Sequence, residues 1–351
     1  MHNPPMVFAV PGDLHLTEAG LDNHRAALWM TDEINELVRP DFVQFIGDNV
    51  QHATDDQFQL FRQVCGRLRV PFEALVGDHD VYNDPTADRF RRHVGETYGA
   101  SSRGGFRFVR LNTLEHQPLG FSERQIRWFR EQVDQAAERG EPAIVFQHHY
   151  PFKVYEQFAG PGVAAWREIV QTRPIAAIFT GHTHYGQIAN DGRNLSITTR
   201  SIGDPEGGPP GFTLAYLHGD DLAVSYRSID QHGPLVLITH PRDLLLATGP
   251  RHIVSGDDQV RVRVWSRSRV ARVEARVDDG PWFALSPGPG HDWQGDLMAR
   301  QFAKGEHRLD ARVCDDEGAA AQSAITFLFD ATRRYTPAPR AEPTVKSTAF
   351  C

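Results

Sequence analysis

Cysteine is scarce in this sequence of 351 residues. It occurs only at Cys65, Cys314 and Cys351, which are too few and too far apart for a disulfide framework or a cysteine zinc site. A chain built this way is typical of a reducing compartment. We therefore expect a cytoplasmic protein.

Long apolar runs and an excess of positive charge are also missing. No segment is long and apolar enough to span a bilayer, and Met1–Val10 lacks the charged head and long apolar stretch of a secretion signal. The formal net charge is −8, which gives no overall attraction to nucleic acid or to an anionic membrane. We expect neither a membrane nor a nucleic acid duplex as a partner.

The length exceeds what one hydrophobic core supports, so two domains are expected. Through about residue 230, short apolar runs alternate with amphipathic stretches, which predicts layered α/β structure. Thr54 with Gln57, and Ser122 with Gln125, have the spacing of helix capping boxes. The strand candidates are Met6 to Val10, Phe42 to Ile46, Phe72 to Val76, Phe106 to Leu111, Ala143 to Gln147 and Ile175 to Thr180.

Helical periodicity fades after Gln231, and alternating segments such as Gln259 to Trp265 take over. Asp278-Asp279-Gly280 supplies a hairpin turn between two such segments. We predict three parts: an α/β domain at 1–230, a smaller all-β sandwich of the immunoglobulin or fibronectin kind at 231–331, and a tail at 332–351 that is mobile or lies along the surface.

Several of the apolar runs end in a small cluster of Gly, Asp and His. In a layered α/β fold these clusters converge, because ligands bind in the crevice outside the carboxyl ends of the strands. Singly, each cluster is an ordinary turn, but the ordered set points to one shared site. The clusters are Gly12-Asp13-Leu14-His15, Gly47-Asp48-Asn49, Gly77-Asp78-His79-Asp80, Gln147-His148-His149-Tyr150-Pro151 and Gly181-His182-Thr183-His184.

Carboxylate and neutral imidazole together form a good ligand set for Mn, Fe, Zn or Ni, and two divalent ions fit this number of groups. Glycine before a ligand lets the chain turn off the strand without a Cβ clash. The sequence thus predicts one shared site for two metal ions.

The set of motifs resembles the calcineurin-like metallophosphoesterase family, over roughly the first 230 residues. The segment from Tyr98 to Thr113 and the helix start at Gln125 resemble the phosphodiesterase branch of that family. The resemblance implies a layered α/β/β/α sandwich, two metal ions with Mn or Fe favoured and Zn, Ni or Co possible, and hydrolysis of a small phosphodiester by a metal-bound hydroxide.

The resemblance also implies roles for individual residues. One metal is expected at Asp13, His15 and His184, the other at Asp78, His148 and His182, with Asp48 bridging both. His79 is expected to assist the departing oxygen. His149 competes with His148, since His148 directly follows the apolar strand whereas the count back from Pro151 fits His149. We also name four possible substrate contacts, which are Asn49, Tyr82, His149 and Arg200.

Asp78 departs from the family pattern, which usually has Asn at this position. A carboxylate there can still bind metal, but it lowers the charge of the centre by one unit, which favours metal retention and disfavours an anionic substrate. Two alternatives to a phosphodiesterase therefore stay open. One is a phosphomonoesterase or a hydrolase of nucleotide or pyrophosphate bonds, and the other is a scaffold or binding module of the same fold whose catalysis has lapsed. The β-sandwich could cover the α/β domain, pair subunits into a homo-oligomer or narrow the pocket.

Overall fold

The structure is a computed structural model of the chain, and it describes residues 4–116, 118–149, 158 and 160–342. The strands are β1 (Met6–Val10), β2 (Phe42–Phe45), β3 (Phe72–Ala74), β4 (Gly99–Arg103), β5 (Phe106–Arg110), β6 (Ala143–Phe146), β7 (Ile175–Thr180), β8 (Gln187–Asn190), β9 (Leu195–Thr198), β10 (Gly211–His218), β11 (Asp221–Ser228), β12 (Leu235–His240), β13 (Asp258–Trp265), β14 (Val270–Val277), β15 (Phe283–Ala284), β16 (Ser286–Pro287), β17 (Asp292–Leu297), β18 (Gly305–Asp315), β19 (Ala320–Phe329) and β20 (Arg340–Glu342). The helices are α1 (Asp22–Glu33), which continues into a π-helical turn at Ile34–Val38, α2 (Asp55–Cys65), α3 (Asp88–His93), α4 (Glu123–Glu138) and α5 (Val163–Thr172), with 3₁₀ turns at His79–Val81, Leu244–Leu246, Pro250–His252 and Ala299–Gln301.

Two sheets form the α/β part of the chain. The first has the order β11-β10-β1-β2-β3, in which β1, β2 and β3 are parallel. The second has the order β20-β8-β9-β7-β6-β5-β4, in which β5, β6, β7 and β9 are parallel. All six strands expected from the sequence form, and they supply the parallel strands of both sheets with the exception of β9. Five of these six strands, β1, β2, β3, β6 and β7, carry the Asp and His clusters at their carboxyl ends.

The two sheets pack face to face and are covered by helices on their outer sides. Phe8 and Phe42 of the first sheet meet Phe146 and Phe179 of the second in a buried aromatic core. On the outer sides, α1 and α2 cover the first sheet and α4 and α5 cover the second. The predicted α/β/β/α layering is confirmed.

Two of the outer helices begin where the capping boxes predict. Thr54 Oγ1 accepts a hydrogen bond from the backbone N–H of Gln57 (3.3 Å), and Ser122 Oγ accepts one from Gln125 (3.1 Å). These bonds satisfy backbone donors that a first helical turn leaves without a partner. They fix the points at which α2 and α4 leave the loops next to the sheets.

The region after residue 231 is all-β within the described residues. Two four-stranded sheets, β12-β13-β17-β16 and β15-β14-β18-β19, share one apolar core. Asp278 has a left-handed backbone (φ 50°) in the loop that joins β14 to β15, as expected of a hairpin turn. The sheets form the expected smaller β-sandwich, and the boundary proposed near residue 230 falls between β11 and β12.

This β-sandwich packs against the α/β part. Leu235, Leu237 and Trp265 are buried in the same cluster as Phe212 of the first sheet. Farther along the chain, Arg340–Glu342 pairs with β8 at the edge of the second sheet. This strand lies inside the predicted tail at 332–351, whose last nine positions, 343–351, lie outside the described residues. Within the described ranges, we find no helix with the length and apolar character needed to cross a membrane.

Candidate metal centre

Five loops bring the sequence clusters together. Each loop follows the carboxyl end of a parallel strand, β1, β2, β3, β6 or β7, so the loops meet where the edges of the two sheets adjoin. The Asp and His side chains of these loops form three groups, within each of which the candidate ligand atoms lie within 4.8 Å of one another. The groups are Asp13, His15, Asp48 and His184; Asp78, His148, His149 and His182; and Asp48, Asp78 and His79.

The first group gathers around His15. Its Nε2 lies 3.0 Å from His184 Nε2 and 3.8 Å from Asp48 Oδ2. His184 Nε2 also lies 3.9 Å from Asp13 Oδ1. Two carboxylates and two imidazoles therefore direct ligand atoms to one point.

The second group gathers around Asp78. Its Oδ1 lies 3.1 Å from His148 Nε2, 3.1 Å from His182 Nδ1 and 3.7 Å from His149 Nε2. Burial alone would raise the pKa of Asp78, but the hydrogen bonds with His148 and His182 lower it far below its ordinary range. Asp78 is therefore ionised, and its carboxylate is directed at three imidazoles.

Asp48 lies between the two groups. Its Oδ2 is 3.8 Å from His15 Nε2 on one side and 3.2 Å from His148 Nε2 on the other. Burial lowers the pKa of His148, but the carboxylates of Asp48 and Asp78 outweigh burial and raise it well above its ordinary value. This position stabilises positive charge, whether a proton or a metal ion carries it. The geometry is that of a carboxylate shared by two sites.

His148 and His149 both reach the second group, so the sequence alternatives do not exclude each other. His148 Nδ1 lies 2.9 Å from the Ile46 carbonyl, which can accept its N–H and leave Nε2 facing Asp48 and Asp78. His149 Nδ1 lies 2.6 Å from Thr113 Oγ1, and its Nε2 faces Asp78. His149 is only 2% exposed, which does not fit the predicted substrate contact and places it among the candidate ligands.

The groups fit metal ions by their charge and protonation. Burial lowers the pKa of His15 to about 4, so this imidazole is neutral at pH 7 and can donate a lone pair. Burial raises the pKa of Asp13 to about 6, and its Oδ2 is buried with no hydrogen-bond partner in the described structure. Neither Asp13 nor Asp48 pairs with Lys or Arg among the residues described. Buried carboxylates of this kind need a cation.

The backbone of these loops is constrained. Asp13, His15, Asp48, His182 and His184 all have left-handed backbone angles, with φ between 46° and 67°. Such conformations cost of the order of 1–3 kcal/mol each in residues other than glycine, and they cluster at functional sites. The rest of the fold therefore holds these candidate ligands in conformations that they would rarely adopt by themselves.

Two glycines allow the close approach that the sequence predicted. A Cβ at Gly77 would lie 2.2 Å from Asp48 Oδ1, and a Cβ at Gly47 would lie 2.5 Å from His148 Nδ1. Gly47 also has φ +99°, which other residues rarely adopt. Any side chain at either position would displace a candidate ligand.

Asp80 is a positioning residue that the sequence reasoning left without a role, although it ends the Gly-Asp-His-Asp cluster. Its buried carboxylate accepts from Asn49 Nδ2 (2.8 Å), Val50 N–H (3.1 Å) and Gly77 N–H (2.9 Å). Asn49 is itself fully buried and also donates to the Leu75 carbonyl (3.1 Å). Asn49 thus ties two loops together, which corrects its predicted contact with substrate.

The remaining predicted residues differ in location. His79 Nδ1 lies 3.0 Å from the Gln51 carbonyl, and its backbone N–H donates to Asp48 Oδ1 (2.9 Å). Tyr82 is 67% exposed and stacks parallel to His79, with ring centroids 6.3 Å apart. Tyr82 therefore borders the site from the solvent side.

Arg200 is directed elsewhere. Its guanidinium lies 4.9 Å from the ring centroid of Tyr226, and its Nη1 donates to the Pro209 carbonyl (3.3 Å). Both partners lie outside the Asp and His groups, which does not fit the predicted substrate contact. A carboxylate that no sequence signal indicated, Asp204, instead lies 3.5 Å from His184 Nδ1, where it can orient that imidazole.

Comparison with known proteins gives the same family as the motifs. The model of the calcineurin-like phosphoesterase family matches residues 6–186. A probable glycerophosphodiester phosphodiesterase, GpdQ, of Arcobacter nitrofigilis is 24% identical over 207 residues, which span 51% of this chain and 72% of that protein. The GpdQ of Enterobacter lignolyticus is 25% identical over 159 residues, 42% of this chain and 56% of its own length. A dimetal phosphatase from Danio rerio has a similar fold, with a TM-score of 0.54 and 14% identity over 64% of this chain and 96% of that one.

Proposed function

Because this chain belongs to the calcineurin-like phosphoesterase family, we propose that it hydrolyses a small phosphodiester at a centre of two metal ions. The observation that carries this proposal is the pair of Asp and His groups that share Asp48. Support for a diester comes from the two relatives named as glycerophosphodiester phosphodiesterases.

The residues divide into two ligand sets. Asp13, His15 and His184 would hold one ion, Asp78, His148 and His182 the other, and Asp48 would bridge them, with His149 beside the second set. When bound, two such ions lower the pKa of a shared water and neutralise charge on the phosphoryl group. Mn or Fe is our preferred pair, and Zn, Ni or Co would also suit nitrogen and oxygen ligands.

His79 is placed to serve the departing oxygen. If Nδ1–H donates to the Gln51 carbonyl, Nε2 is left on the side of the metal groups, 4.0 Å from Asp78 Oδ2. An imidazole there can hold a proton and deliver it to an alkoxide. The hydrogen bond from the His79 backbone N–H to Asp48 fixes the position of His79 relative to the bridging carboxylate.

The charge around the site favours a diester over a monoester. A dianionic monoester is usually held by arginine forks, but Arg200 is held against Tyr226. The exposed ring of Tyr82 lies between His79 and His52 and offers an apolar surface to the second ester group. We keep Tyr82 as a substrate contact for that reason.

Comparing turnover of bis(p-nitrophenyl) phosphate and p-nitrophenyl phosphate, with metal analysis of the same sample, tests this function. We expect two metal ions per chain and faster hydrolysis of the diester. Preference for the monoester would favour the phosphomonoesterase alternative. Absence of retained metal and of turnover with added Mn would favour the scaffold alternative.

The variant His79→Asn tests the assigned mechanism separately. Loss of general acid assistance should lower kcat about 10²- to 10⁴-fold while the metal content stays unchanged. His232→Asn, an exposed histidine outside the site, is the matched control. Loss of metal from His79→Asn would contradict the assigned role.

Location and assembly remain part of the proposal. We infer a cytoplasmic enzyme that acts on small molecules rather than on duplex nucleic acid. The β-sandwich covers an apolar flank of the α/β part through Leu235, Leu237 and Trp265. We also propose a homo-oligomer formed through this sandwich, and the mass in solution of the full chain tests it.

A further inference from the structure

A polar cavity lies where the β-sandwich meets the α/β part, and none of its lining residues belongs to the metal centre. It has a volume of about 310 Å³ and is lined by the turn between β10 and β11, by the segment after β12 and by residues 251–258. Arg300 and Arg333 complete its wall. A cavity of this size can hold a small organic or inorganic ligand.

The carboxylates that line this cavity are all neutralised within the protein. Each of the four forms an ion pair with a cationic side chain, so none is left to repel an anion by itself. The pairs are Asp220 with Arg251 at 3.5 Å, Asp221 with Arg261 at 2.5 Å, Asp257 with Arg300 at 3.4 Å and Asp258 with His240 at 3.1 Å.

Among the cationic side chains of this cavity, Arg242 forms no ion pair in the part of the chain that the structure describes. It is only 7% exposed, and its guanidinium has no ion pair with any carboxylate of the described residues. Nη1 donates to the Asp220 carbonyl (2.8 Å), but Nε is buried with no hydrogen-bond partner in the same set of residues. Burial lowers the pKa of Arg242 to about 10, so the group stays charged at neutral pH. The nearby charges of Asp221 and Asp220 offset only part of this burial, and a buried guanidinium that forms no direct ion pair is unfavourable.

His252 does not supply the missing acceptor. Its Nδ1 lies 3.0 Å from the backbone N–H of Thr248, and its Nε2 lies 3.2 Å from Arg242 Nη1 and 3.1 Å from Arg251 Nε. Burial and the two arginines lower the pKa of His252 to about 3, so the imidazole is neutral. A neutral imidazole accepts at only one of its nitrogens. At least one of the three N–H donors around His252, on Thr248, Arg242 and Arg251, therefore finds no acceptor on this imidazole.

Arg333 adds a second uncompensated cation at the rim. Its Nε donates to Ser255 Oγ (2.6 Å), and it has no ion pair among the residues that the structure describes. Together, Arg242 and Arg333 give the cavity two positive charges beyond those that pair with its own carboxylates. Guanidinium groups bind oxyanions through paired N–H donors.

We propose that this cavity is a binding site for a small divalent oxyanion, held by Arg242 at the base and Arg333 at the rim. The ligand would complete the hydrogen bonds of Arg242 and link the β-sandwich to the α/β part. The proposal is independent of the reaction at the metal centre. Tetrahedral anions and short dicarboxylates share this chemistry, and the experiment separates them.

Isothermal titration calorimetry of the full metal-loaded chain with sulfate and, separately, with malonate tests the site at constant ionic strength. The wild type should bind one or both anions, with chloride as the reference. Arg333→Gln should weaken binding about tenfold or more, and Arg242→Gln should weaken it further. Preference for sulfate identifies a tetrahedral ligand, and preference for malonate identifies a dicarboxylate.

Arg269→Gln is the matched control, because this arginine is exposed and pairs with Asp316 outside the cavity. Its anion affinity should equal that of the wild type. If Arg242→Gln fails to fold, Arg333→Gln decides the result. The proposal is overturned if neither anion binds at millimolar concentration, or if the Arg333→Gln protein binds them as the wild type does.

Discussion

The carboxylate of Asp80 is the most informative group to remove, because it joins two ligand loops without facing the metals. It is fully buried and accepts three hydrogen bonds, from Val50 N–H, Gly77 N–H and Asn49 Nδ2. Val50 lies two residues after Asp48, and Gly77 directly precedes Asp78. Asp80→Ala should therefore loosen both loops at once.

The magnitude follows from the three donors. A buried donor left without a partner costs about 1–3 kcal/mol, and local relaxation or entry of water recovers part of that cost. Burial and the charge of Asp48 raise the pKa of Asp80 to about 7, so the native protein already bears a cost for this carboxylate. We expect Asp80→Ala to lower the free energy of unfolding by roughly 3 kcal/mol. Asp80→Asn keeps one acceptor oxygen, so it should lower the free energy of unfolding by less than Asp80→Ala does.

Urea denaturation measures the free energy of unfolding, and elemental analysis after dialysis measures the bound metal. We expect Asp80→Ala to retain metal about tenfold less tightly, as is usual when a residue that supports metal ligands is lost. Asp279→Ala, in an exposed turn, is the control and should match the wild type. Equal unfolding midpoints and equal metal content for Asp80→Ala and the wild type would refute the positioning role.

Three further changes test other parts of the structure. Gly77→Ala would place a Cβ 2.2 Å from Asp48 Oδ1. This substitution should lower the free energy of unfolding by about 1–3 kcal/mol, measured by urea denaturation, and should release metal, measured by elemental analysis. Asp78→Asn removes one negative charge, so it should lower KM for a phosphodiester in steady-state kinetics and weaken metal retention. Burial lowers the pKa of His240, but hydrogen bonds and ion pairs with Asp221 and Asp258 outweigh burial and raise this pKa to about 9. The contribution of His240 to stability is therefore complete below about pH 6.5 and is lost as the pH rises through about 9. The wild type should lose up to about 3 kcal/mol more than His240→Gln over this window, as measured by urea denaturation at each pH.

Each of these changes has a control or a contradicting outcome. Gly249→Ala adds a Cβ with no atom within 4 Å and should leave metal content unchanged. A rise in KM for Asp78→Asn would contradict the electrostatic reasoning. Parallel stability curves for the wild type and His240→Gln from acid to alkaline pH would show that the ion pairs of His240 contribute nothing measurable.

The elements and the gathering of the clusters were predictable because they depend on local signals. Thr54 and Ser122 begin helices through side chains three residues from their partners, and the strand before Asp13 is an unbroken apolar run. Parallel strands place their carboxyl ends on one edge, so Asp13, Asp48 and His182 had to approach one another once the fold class was known.

The role of Asn49 could not be predicted from local sequence signals. Its position directly after Asp48 is the same whether its amide faces a substrate or, as in the structure, donates to Asp80. The left-handed backbone at His15 and His184 is likewise invisible in the sequence, since neither is a glycine. Such features depend on contacts between residues far apart in the chain.

The amino-acid sequence by itself determined the type of chemistry, because the residue types at the strand ends limit which ions and reactions are possible. Only the tertiary structure decided which of these side chains share a point in space and that His149 joins His148 beside Asp78. It also decided that Arg242 is buried and forms no ion pair with a carboxylate of the described part of the chain. The physical reason is that distance and burial arise from packing between distant segments, whereas chemical identity is present in each residue from the start.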